Sequence, residues 1–155
     1  MNGGSQLFYK ILVFIHILSA ILGMGPGFIL SLIAKSAKTM TELRNAYVIK
    51  NRLHLFVMIG GLLLITTGLL MGAINPILFR MGWYVVSLLL FLIGLAMGPL
   101  LFAPLSKPIK ELLKTHQGDE IPDQYFRLSK KLDLYENIGN GIFLVIIILM
   151  ILKPF

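Results

Sequence analysis

Asp133, Glu136, Asn137 and Asn140 recur at i, i+3, i+4 and i+7, the spacing that puts side chains on one face of a helix. They stand at the head of the apolar run Leu134 to Leu152, so carboxylates and amides would enter a membrane together. Such a face can line a polar cavity, hold a small solute or relay a proton. It can also be only a helix end emerging among headgroups, where polar tips need no special role. Arg52 and His54 offer complementary chemistry in an earlier stretch. The sharper expectation sets Glu136 opposite Arg52 or His54, in a cavity open to the cytoplasm.

His16 is the one ionisable group well inside the first apolar run, where such groups are rare and are functional candidates by default. Its imidazole could ligate a metal or handle a proton. The bland alternative is a neutral ring bonded to a backbone carbonyl, Ser19, Thr66, Thr67 or Ser87. A shared metal with His54 is excluded by depth. At ~1.5 Å per residue, His16 lies roughly 7 Å on one side of the midplane and His54 about 15 Å on the other. Two imidazoles on one metal need nitrogens within about 4–5 Å.

The elements that must position these residues are membrane helices. Hydrophobic residues make up 57% of the 155 and charged residues 14%, against about 25% charged in a soluble domain. Leu7 to Ala34, Leu53 to Ile74, Trp83 to Leu105 and Leu134 to Leu152 each reach the ~20 residues that cross hydrocarbon. None alternates with period two, so the expected class is all-α, a polytopic four-helix bundle forming a single membrane domain over residues 1–155. The first run has no basic residue before Lys10 and no small-x-small site, and is read as a retained helix.

Charge sets the orientation. Of 14 Lys and Arg residues, five lie in 35–52 and six in 107–131. Basic short loops stay cytoplasmic, which predicts cytoplasmic connections over 35–52 and 106–133 and both termini outside. The net charge of +7 is topogenic on this pattern and implies no nucleic-acid partner. With no cysteine there is no disulfide and no thiolate site. Phosphate-loop, triad, HExxH and EF-hand patterns are absent from the sequence.

The chain also repeats itself. Arg52-Leu-His-Leu-Phe-Val-Met-Ile-Gly60 returns as Lys131-Leu-Asp-Leu-Tyr-Glu-Asn-Ile-Gly139, and Met24-Gly25-Pro26 as Met97-Gly98-Pro99. Two parallel two-helix repeats, about 7–74 and 83–152, are expected about an axis along the membrane normal. The polar face of the fourth span then replaces His54, Val57, Met58 and Gly61 of the second. The pairs Gly23/Gly27, Gly68/Gly72 and Gly94/Gly98 predict close helix contacts, and Pro26, Pro99 and Pro104 predict kinks. Short interfacial helices are expected around Ile109 to Leu113 and Tyr125 to Leu132. Met24, Met58 and Met97 suit Cu(I) through soft thioethers, or simply fill gaps.

His16-Ile-Leu-Ser-Ala-Ile-Leu22 before glycines, Pro104-Leu-Ser-Lys-Pro-Ile109 and Leu149-Met-Ile-Leu-Lys-Pro154 resemble a bacterial family of predicted four-span integral membrane proteins whose domain is of unknown function. The resemblance spans nearly the whole chain and implies the cytoplasmic (inner) membrane, but carries no activity to transfer. More distantly, His16 with Arg52-Leu53 and Gly82-Trp83 is similar to the HemJ-type protoporphyrinogen oxidase, and the first span to the copper-resistance protein D group. That similarity implies haem b, with His16 as axial ligand. Where the HemJ-type pattern has a lysine on the third span, this chain has Ser87, and Gly23 stands in place of a tryptophan. Three classes stay open. One is a small binding or accessory protein with an inward polar cavity, either as a homo-oligomer or with a membrane partner. The others are a haem-binding redox protein and a transporter of a small solute, protons or copper.

Overall fold

The computed structural model describes residues 3–154, and these are largely helical with no strand among them. Among the described residues, four helical segments are long and apolar enough to cross a membrane. The first is α1 (Gly3–Met24) and α2 (Gly27–Lys35), parted at Gly25-Pro26, where proline has no N–H to give the Leu22 carbonyl. The second, α3 (Met40–Ile74), is unbroken. A 3₁₀ turn over Pro76–Arg80 leads to the third, α4 (Gly82–Met97) and α5 (Ala103–Thr115). Between these two lies a π turn, Gly98–Phe102. Pro99 cannot bond to Leu95, and the ladder slips so that the Ala103 N–H reaches the Gly98 carbonyl. The fourth, α6, runs from Asp123 to Leu152.

The stretches expected as connections are mostly helical. Only 36–39 and 116–122 separate the spans at the basic end, and the expected interfacial helices are extensions of α5 and α6. Local chemistry explains the difference. Thr39 Oγ1 accepts from the Glu42 N–H and Glu42 accepts from the Lys38 N–H, a capping-box arrangement that starts α3 early. Asp119 accepts from the Thr41 N–H and hydroxyl, while Arg44 donates to the Leu113 and His116 carbonyls at the end of α5. Each helix end is thus capped by the facing connection. Met40, Leu43, Ile109, Leu113, Tyr125 and Leu132 form an apolar core inside these extensions.

Within the first hairpin, α1 lies on α3 with backbones touching. A Cβ on Gly23 would sit 2.9 Å from the Gly60 carbonyl carbon. In the second hairpin larger groups intervene, with Phe143 against Gly94 and Phe102 against Gly139. The hairpins meet where α2 touches α6 and α3 touches α5 in the basic half, and where α3 touches α4 beside the 3₁₀ turn. Two cavities lie between them. The outer surface carries apolar side chains such as Leu62, Leu100 and Ile151, about 70% exposed, as hydrocarbon solvent allows.

Candidate functional site

The larger cavity, about 620 Å³, opens in the basic half. Its wall carries an ion pair. Lys50 Nζ on α3 lies 3.0 Å from Glu136 Oε1 and 3.4 Å from Oε2 on α6. The side chains are only 9% and 13% exposed. Lys50 Nζ also stands 5.3 Å from the Tyr47 ring centroid, and Tyr47 meets Tyr125 edge-on. A shielded pair of this kind rarely gives more stability than apolar residues of the same volume, whereas removing one partner costs about 3–5 kcal/mol. Stability alone therefore gives little reason to keep it.

One turn deeper, Asn140 Nδ2 donates to the Gly27 carbonyl at 3.1 Å, tying α6 to the start of α2. Gly27 permits this approach, since a Cβ there would stand 3.0 Å from Asn140 Oδ1. His54, Asn51, Ser106 and Lys110 complete the polar part of the lining, with Phe91, Leu95 and Phe143 behind them. A molecule entering here would meet cations and amides at the mouth and an apolar wall at depth. Gly98, Pro99 and Phe102 of the π turn lie along the same wall.

The second cavity, about 530 Å³, lies farther from the basic end and is almost wholly apolar in lining. His16 Nδ1 is 2.8 Å from Thr67 Oγ1. Thr67 Oγ1 is 2.6 Å from the Leu63 carbonyl, a contact that needs its single proton. The hydroxyl therefore donates to Leu63 and accepts from His16, which fixes the tautomer as Nδ1–H. The Nε2 lone pair is left as an acceptor. Tyr84 OH donates to the Gly68 carbonyl at 2.8 Å. Ser87, 1% exposed, has a hydroxyl with no hydrogen-bond partner.

Of the residues singled out from sequence, His54, Glu136 and Asn140 line the polar cavity. Arg52 and Asn137 are exposed and do not line it. Asp133 instead pairs with Lys35 of α2, Oδ2 to Nζ 3.2 Å, at the surface. His16 faces other helices and belongs to the apolar cavity, so the two histidines lie in different sites. The partner of Glu136 is Lys50 rather than Arg52 or His54. Lys50 precedes His54 by four residues and so shares its helix face. That spacing was readable, but the residue counts among the basic charges of a connection.

Haem b needs partners for two propionates as well as an axial imidazole. No Lys or Arg lines the cavity that holds His16, so the residues present do not fit that group. The thioethers do not converge either. Met24 and Met58 line the polar cavity, while Met97 packs toward Gly139. Among the described residues no cluster of three His, Asp or Glu could hold a metal. In comparison with known proteins, a family model described as "Predicted integral membrane protein (DUF2269)" matches residues 10–154. No curated protein and no solved structure matches.

Proposed function

The chain belongs to the DUF2269 family of predicted integral membrane proteins, and on that footing we propose that it is a small binding protein of the bacterial cytoplasmic membrane. Its basic end faces the cytoplasm, both termini lie outside, and the polar cavity receives a small organic anion from the cytoplasmic side. The observation that carries this is the shielded Lys50–Glu136 pair in the cavity wall. Such a pair is a poor source of stability but a ready exchanger, because an incoming carboxylate or phosphate can take over Lys50. Lys110 at the mouth adds a second cation, and Phe91 and Phe143 accept the apolar part of the ligand.

The bundle is further read as a duplicated hairpin. Support comes from both Met-Gly-Pro triplets standing at helix breaks, Gly25-Pro26 and Gly98–Phe102. The matched glycines Gly60 and Gly139 are both buried, each against the opposite helix of its own hairpin.

The test is thermal unfolding of the detergent-solubilised protein with hexanoate, benzoate and inorganic phosphate. Stabilisation by one of these in the wild type, absent from Lys50→Met/Glu136→Leu, is the expected result. An equal shift in that double variant would place binding elsewhere. A second reading, movement of the solute or of protons across the membrane, is favoured by the π turn along the cavity wall, a helix defect common at functional sites. Flux into proteoliposomes that falls with Glu136→Gln would support it.

A further inference from the structure

Ser87 and His16 pose a problem that the polar cavity does not. Ser87 sits on α4 at 1% exposure with an unbonded hydroxyl. Leaving such a group unpaired in an apolar setting is unfavourable, because it gives up its hydrogen bonds to water for nothing. A serine inside a helix ordinarily relieves this by bonding to the carbonyl one turn back, as Ser19 does to Ile15 at 2.6 Å. In the same cavity His16 offers the Nε2 lone pair, while the third polar side chain, Tyr84, is already bonded to Gly68. The cavity thus presents one donor and one acceptor against an otherwise apolar lining.

Its shape points to where a ligand comes from. The floor is made by Met24, Leu64, Phe91 and Ile146, all buried. The rim includes Ile17, Ile21 and Ile151, exposed by 56%, 62% and 71%. These rim residues belong to α1 and α6 and lie on the outer surface of the spans, so the mouth opens sideways into lipid. The volume falls within the ~300–1,000 Å³ of ordinary small-molecule sites.

We propose that this cavity binds a neutral, lipid-soluble phenol or alcohol from within the bilayer. One hydroxyl satisfies both protein groups: its oxygen accepts from Ser87 and its proton goes to His16 Nε2. An aromatic carrier also suits Phe91 and the thioethers of Met24 and Met150, since sulfur packs well against rings. A carboxylate is disfavoured because no cation lines the site. The proposal does not rest on the activity assigned to the polar cavity, although Met24, Ile65 and Phe91 line both.

The test uses the full chain in lipid nanodiscs and a diazirine-tailed alkylphenol as photolabel. Labelling is expected on the peptides carrying Ile17 to Ile21 and Ile147 to Ile151. para-Octylphenol should compete and its methyl ether, para-octylanisole, should compete about 3- to 10-fold less well, the worth of one hydrogen bond. His16→Phe should weaken phenol binding by a similar factor and leave the ether unchanged, whereas Ser87→Ala, which removes the donor to the ligand oxygen, should weaken both. Thermal unfolding separates this from a structural role, because Ser87→Ala removes an unpaired hydroxyl and should leave the ligand-free protein at least as stable as the wild type. Equal competition by phenol and ether, or loss of stability in Ser87→Ala, overturns the proposal.

Discussion

The two cavities share walls and even residues, with Met24, Ile65 and Phe91 lining both, yet they treat polar groups in opposite ways. In the basic half the deep polar side chains bind each other: Lys50 with Glu136, and Asn140 with the Gly27 carbonyl. In the apolar half the Ser87 hydroxyl is left over and the tautomer of His16 leaves its Nε2 an acceptor. The first arrangement is complete by itself and must be disrupted by a ligand. The second is completed by one. A bundle of only four spans can hold both because its hairpins touch near their ends and part between.

The contrast is broken most strongly at the ion pair. Lys50→Met or Glu136→Leu alone should destabilise the folded protein by about 3 kcal/mol, the lower end of the cost of stranding one shielded charge. Combining them should recover most of that loss, and denaturant unfolding of all three variants in detergent micelles measures it. Failure of the double variant to recover would show that the pair contributes structure on its own account.

A smaller effect is expected one turn deeper. Asn140→Leu removes the clamp on Gly27 and should cost about 1 kcal/mol, the usual worth of an interhelical hydrogen bond in a membrane protein. Chymotrypsin cleavage near the Gly25-Pro26 break should quicken if that clamp holds α2 in place. Unchanged cleavage would assign the hold to packing alone.

The smallest effects fall in the apolar half and sharpen the comparison. Thr67→Val strands His16 Nδ1 and should lower stability by about 0.5–1.5 kcal/mol. Val85→Ala, on the same helix as Ser87 but outside both cavities, serves as a packing control for phenol binding and should leave that binding unchanged. Isothermal titration with para-octylphenol reads this directly.

Much of this was legible in the sequence. Four spans follow from hydropathy because a bilayer makes apolar length a strict requirement. Both proline breaks follow from the missing N–H. Asn140 and Glu136 facing inward follow from the helical spacing of a polar face. The match between Glu136 and Lys50 did not emerge, because a census of charges by segment treats helix and connection alike. Only the early start of α3 at Met40, fixed by Thr39, Glu42 and Asp119, puts Lys50 inside a packed helix. Ser87 was visible as one of several partners for His16 and as the residue in place of the HemJ-type lysine. That Thr67 takes the role and leaves Ser87 unpaired depends on how two helices are rotated, which no local pattern encodes.

The length of α3 has a consequence for where the protein floats. Its 35 residues rise roughly 52 Å at ~1.5 Å each, about 20 Å more than a hydrocarbon layer of ~30 Å can cover. The surplus is the capped, basic segment with its own core, which water can wet but oil cannot admit. It acts as a float collar that stops the bundle from sinking. Lys50 is ten residues from the tip of α3, roughly 15 Å down, and so lies within that surplus. A solute could therefore reach the Lys50–Glu136 pair from water without crossing any oil, while the second cavity stays submerged.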